Sequence, residues 1–152
     1  MKDICQALYE YLSGQKEIAS QVGARIYPIV LPQDAPLPSI VYAPVLANYD
    51  SALQGDTGYA RQTIQIVCHA RTFKLARELS RDVKKSLQDF HGDMCGLHIQ
   101  AVFIKSDYEY DANTSLKFSM DEYMSSIEFE IHYNEKSVSY THLRAHETLS
   151  DL

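Results

Sequence analysis

The chain has 152 residues, a formal net charge of −6, 45% hydrophobic residues and 22% charged residues. That is the size and composition of one ordinary globular domain, not of a disordered segment. The acid surplus argues against sequence-independent binding of nucleic acid, which needs Lys and Arg in excess on one face.

Cys5, Cys68 and Cys95 are odd in number and widely spaced, with no Cys-x-x-Cys. They predict free thiols in a reducing cytosol rather than a disulfide framework. The opening Met-Lys-Asp-Ile-Cys-Gln lacks the apolar core of a signal peptide. No apolar run approaches the roughly 18 residues that span a bilayer, so the reading is a soluble chain without a membrane partner.

Residues 2–13 carry Ile4, Ala7, Leu8, Tyr11 and Leu12 at helical spacing, and Gly14 is a stop signal. Residues 15–22 read as a second short helix, ended by Gly23. All five prolines then fall between Pro28 and Pro44. Each fixes φ, removes a donor and pushes its predecessor out of the α region. The window therefore reads as a short strand at 25–27, a stiff extended connection over 28–38, and a second strand at 39–46.

The Gly, Asp, Asn and Ser content of residues 48–58 predicts a loop. Residues 59–70 alternate, with Thr63, Gln65 and Val67 against Ile64, Ile66 and Cys68, as a central strand covered on both faces would. Residues 72–90 predict the long helix. Thr72 is its cap, and an apolar stripe of Leu75, Leu79, Val83, Leu87 and Phe90 opposes a charged face. Lys74, Arg77, Arg81, Lys84 and Lys85 cluster on that face, the pattern of a solvated helix surface.

Residues 97–104 alternate as a strand, and residues 105–117 form a polar stretch. Residues 123–133 make a one-sided strand with Ile127, Phe129, Ile131 and Tyr133 inward and Ser126, Glu128, Glu130 and His132 outward. The predicted architecture is α+β: a mainly antiparallel sheet of about four to five strands, a short N-terminal helix and one long amphipathic helix at about 72–90 packed on the sheet.

Residues 137–152 stand apart. Val138 to Thr148 resembles the translation of a sequencing-adapter oligonucleotide, which predicts a domain over 1–136 and a non-native tail after Lys136. His142 and His146 lie one helical turn apart, but their order with Glu147 lacks the glutamate placement of His-Glu-x-x-His. No metal site is assigned there.

The rest of the chain offers no catalytic constellation. There is no phosphate-binding glycine loop, no dinucleotide fingerprint and no Gly-x-Ser-x-Gly. His69 follows Cys68 and so points to the opposite face of the strand. Pairs of Cys68 with His98 or His132 across strands are weighed against a small buried cysteine, and the second reading is adopted. Asp107, Glu109 and Asp111 alternate on one side, but no glycine-bearing loop or closing glutamate follows to make a calcium site. No catalytic, cofactor or metal residue is expected.

Eleven tyrosines and no tryptophan carry more signal. Tyrosine suits a surface buried against protein with one end left polar. The order and spacing of Val22-Gly23, Arg25-Ile26-Tyr27-Pro28, Pro32-Gln33-x-Ala35-Pro36-Leu37-Pro38, Ile40-Val41-Tyr42, the strand from Arg61 to Cys68 and the late strand Ile127-Glu-Phe-Glu-Ile-His-Tyr133 together resemble the tail completion, or tail terminator, proteins of long-tailed phages and prophages.

That resemblance implies a structural virion protein that caps the head-proximal end of the tail tube and joins it to the head connector. The implied partners are further copies of the chain in a ring, commonly a hexamer, the tail tube protein and the head–tail connector protein. The implied location is the virion tail, reached from the host bacterial cytoplasm. Neither catalysis nor a cofactor is implied. Tyr49, Asp50, Gln54, Asp56, Tyr59, Tyr108, Tyr110 and Asp111, beside the two long loops, are the candidate contacts. The competing reading is a small cytosolic enzyme or ligand-binding domain.

Overall fold

The computed structural model describes residues 3–52, 55–108 and 122–134. Helix α1 spans Ile4–Ser13 and starts where Asp3 Oδ1 accepts the backbone N–H of Cys5 at 2.6 Å, closing an otherwise orphan donor. Helix α2, Lys16–Val22, ends at Gly23. With φ at 58°, Gly23 occupies the left-handed region that side chains resist.

Three strands follow in order: β1 (Ile26–Pro28), β2 (Ser39–Ala52) and β3 (Gly55–Ala70). Helix α3, Phe73–Leu87, starts at Thr72, whose Oγ1 accepts the Leu75 N–H at 3.1 Å. Strands β4 (Gly92–Met94), β5 (Leu97–Tyr108) and β6 (Tyr123–Asn134) are the remaining elements among the described residues.

The six strands form one sheet in the order β1-β2-β3-β6-β5-β4. The β1–β2 pair is parallel and the other four pairs are antiparallel. Helix α3 lies on β3 and β6, and α2 packs on α3 and α1. Ile64, Ile66, Cys68, Phe129 and Ile131 face these helices and are fully buried, together with Leu8, Leu12, Ile18, Leu79 and Leu87. Tyr11 donates to the Ser86 carbonyl at 2.6 Å and packs edge-on against Phe90, tying α1 to the end of α3.

The α+β class and the alternation of β3 and β6 agree with the sequence. The sheet does not: it has six strands and is mixed, rather than four to five and mainly antiparallel. β1, expected as a strand, makes the sheet mixed by pairing in parallel with β2 across the proline window, and the added strand is β4, three residues joined to β5 by a tight turn. The expected loop at 48–58 is instead ladder among the described residues, with Ser51 opposite Asp56 and Ala52 opposite Gly55.

The long helix is also shorter than predicted. α3 has 15 residues and is one of three helices, because Gln88 leaves helical geometry at ψ 129° and Asp89 takes φ 61°. Leu75, assigned to the apolar stripe, is 41% exposed, whereas Leu79 is fully buried. Residues 137–152, including His142 and His146, lie outside the described residues.

Leu79→Ala is expected to cost about 2–5 kcal/mol and Leu75→Ala less than about 1 kcal/mol in urea unfolding, since only the first opens a cavity. Equal costs would contradict this packing.

Candidate functional site

Because strand side chains alternate, the sheet face away from the helices carries Val41, Thr63, Gln65, Val67, His69, Met124, Ser126, Glu128, Glu130 and His132. The proline window lies over one end of that face. Arg25 holds its base: Nε donates to the Pro38 carbonyl at 2.8 Å and Nη2 to the Gln21 carbonyl at 3.1 Å. Ser39 Oγ donates to the Pro36 carbonyl at 2.5 Å.

A groove of about 600 Å³ separates the arm from the sheet. Its floor is Val41, Val67, His69 and Met124, and residues 29–35 form the wall. His69 is buried and its Nδ1 lies 2.8 Å from Glu122 Oε2, so the one polar pair in the floor is satisfied. At the arm's start, Ile29 and Val30 are exposed. Ile29 takes φ 71°, a strained setting for a β-branched residue. Two apolar side chains thus stand at the surface of a strained segment anchored at its base. The sequence showed the stiffness of this arm but not that it folds back over the sheet.

A second cluster sits on the same face toward the other end. Tyr59 Oη hydrogen-bonds His132 Nδ1, His132 Nε2 lies 3.0 Å from Glu130 Oε1, and the Phe103 ring meets the imidazole edge-on at 5.1 Å. Phe103 is itself half exposed. A neutral imidazole with its proton on Nε2 satisfies both polar partners, accepting from Tyr59 and donating to Glu130.

The predicted contact residues do not form one patch. Tyr49 is exposed on β2, and Asp50, Asp56 and Tyr59 share its hairpin with β3. Tyr108 is opposite Ser126, whose other neighbour is Val67, and so lies at the far end of the sheet from Tyr59. Gln54, Tyr110 and Asp111 lie outside the described residues. Asp107 turns to the helix side, where Lys84 Nζ meets it at 2.5 Å. Arg77 of the basic helix face lies over the Phe73 ring.

Neither cysteine–histidine pair forms across the sheet: Cys68 is opposite Ile40 and Ser125. Complete burial, with Asp107 adding repulsion, pushes its thiol far above the ordinary range, the reverse of an activated nucleophile. Among the described residues no group of three His, Cys, Asp or Glu side chains could hold a metal ion, and no helix is long and apolar enough to cross a membrane.

One face of the sheet is packed under helices, the other carries an apolar groove and a half-exposed aromatic, and the β2–β3 hairpin continues from the end of the sheet. Residues 6–118 match the family described as tail completion protein gp17, and the chain belongs to that family. It is thus a structural protein of phage tail assembly. The fold is similar to a chain of a solved structure titled "Virion of native gene transfer agent (GTA) particle", with a TM-score of 0.66 and 16% identity over 86% of this chain and 94% of that one. No curated protein matches the chain.

Cys68 sets a pH prediction. The unfolded thiol ionises near pH 8.5, while the folded one stays protonated, so the native state binds the extra proton and stability falls as pH rises. Raising the pH from about 7.5 to about 9.5 is expected to cost the wild type about 1.4 kcal/mol more than Cys68→Ala in denaturant unfolding. Parallel pH dependences would contradict the burial of this thiol.

Proposed function

We propose that the chain is a ring subunit, hexameric, that closes the head-proximal end of a phage tail tube and presents a surface to the head–tail connector. It acts in the virion tail after assembly in the host cytoplasm. The observation that carries this beyond family membership is the β2–β3 hairpin. Among the described residues the last β3–β6 pair is Tyr59 with Asn134, yet β3 begins at Gly55. Three β2 residues follow Tyr49, the partner of Ala60, so at about 3.3 Å per residue the hairpin runs about 10 Å beyond that pair. A projecting hairpin suits a subunit that must reach a neighbour.

Ring closure also needs head-to-tail contacts between two different patches. Tyr49 and Asp50 on β2 and Tyr108 on β5, on opposite sides of the central β3–β6 pair, are proposed to belong to two such patches, with Asp56 and Tyr59 at one end of the strands and the proline arm at the other beside them. Gln54, Tyr110 and Asp111 are proposed as contacts on their sequence positions beside these ends. Residues 137–152 are proposed as non-native and play no part in this function. No catalytic role is proposed: the buried histidine–glutamate pair floors an apolar groove, and the cysteine nearest it in sequence faces the core.

Size-exclusion chromatography with light scattering tests the reading, on the full chain and on a chain ending at Lys136. A species near six times 17.3 kDa, alone or on purified tail tubes, is expected. A strictly monomeric chain under both conditions would contradict it.

A further inference from the structure

The sheet ends in two long edges that its outermost strands leave mostly uncovered. β1 pairs with β2 only at Ile40, Val41 and Tyr42, and one more bond, from the Ile29 N–H to the Tyr42 carbonyl, extends it. Residues 43–52 of β2 have β3 on one side and no strand on the other among the described residues. On the far side of the sheet, β4 covers β5 only at Leu97, His98 and Ile99. Residues 100–108 of β5 have β6 on one side and no described strand on the other.

Pro44 has no N–H to offer and the Leu46 carbonyl accepts from Gln62 Nε2 at 3.0 Å, but the other outward N–H and C=O groups of such an edge are satisfied in register by another strand edge. Each edge also carries apolar side chains at the surface. Val45, Leu46 and Tyr49 on β2 and Phe103 on β5 are each more than half exposed. Pairing the two edges would bring these side chains together and withdraw them from water.

The directions agree. β2 and β6 both run against β3, and β5 runs against β6, so β2 and β5 run in opposite senses. Copies related by rotation about an axis roughly along the strands keep those senses. The β5 edge of one copy then meets the β2 edge of the next antiparallel. Both edges are also bulged near their middles, where the register skips Val45 on β2 and Lys105 on β5. Bulges add twist and bend, which a sheet continued around a closed ring requires.

We infer that successive copies of this chain join by strand addition, the 100–108 edge of β5 pairing antiparallel with the 43–52 edge of β2 in the next copy. The inference rests on the ring reading and names the contact that closes it. The contact is heterologous, so each copy donates two different edges, and blocking either one stops propagation.

Leu46→Lys and Phe103→Lys test it, each placing a charge on one edge at a position that is more than half exposed. Each variant alone is expected to run as a monomer with the circular dichroism and thermal unfolding of dissociated wild-type subunits. An equimolar mixture is expected to give a dimer and nothing larger, since one intact edge remains on each partner. Either variant alone assembling to the wild-type size overturns the edge assignment and leaves the ring reading intact, as does a mixture that stays monomeric while the wild type assembles. A wild type that never assembles overturns both. Independently of the variants, backbone amides at 45–49 and 101–107 are expected to exchange hydrogen more slowly in assembled wild type than in dissociated subunits. Unchanged exchange at both edges overturns the inference.

Discussion

The antiparallel ladder between β3 and β6 is the constraint on which the rest of the structure depends. It runs from Tyr59 opposite Asn134 to Ala70 opposite Tyr123 without a skipped residue. Side chains on a strand alternate with a period of two, so a slip of one position would exchange the buried and outward sets. With the register fixed, Ile64, Ile66, Phe129 and Ile131 all face the helices, and Gln65, Val67, Glu130 and His132 all face away. β2 and β5 bind to the outer sides of this pair, and both are bulged where the central pair is regular. The centre is rigid and the flanks carry the irregularity.

That division explains how the two faces differ. The helix face is closed by leucines and isoleucines that are fully buried, and it serves stability. The outward face is held by a few specific links instead. Arg25 pins the base of the proline arm through the Pro38 carbonyl, His69 meets Glu122 in the groove, and His132 joins Tyr59 to Glu130. Such a face keeps a fixed shape while leaving apolar side chains at its surface, as a protein that works by fitting other proteins needs.

Local periodicity made much of this legible in the sequence. The inward sets of β3 and β6 could be read from residues 64–68 and 127–133, and Thr72 and Gly23 marked helix ends. What the sequence hid was pairing between distant segments. Nothing local to Ile26–Pro28 shows that it lies parallel to β2, and three residues at Gly92–Met94 are too few to show a period. Residues 48–58 are rich in turn formers, which signal a loop, yet ladder bonds to a partner strand outweigh weak propensities there. Phe90 continued the apolar spacing of α3, but its partner is Tyr11, outside the helix. For the candidate site, Tyr49 and Tyr59 could be picked out as tyrosines beside a long connection. The groove could not, because it exists only once the proline arm folds over the sheet.

As proposed, the chain closes the growing end of a tail tube. Electron microscopy of tail tubes polymerised from the tube protein, with and without this chain, tests it most directly. An added ring at one end only is expected, with no further elongation of the capped tubes when more tube subunits are supplied. Tubes that keep growing from both ends, or bind the chain along their length, would contradict it.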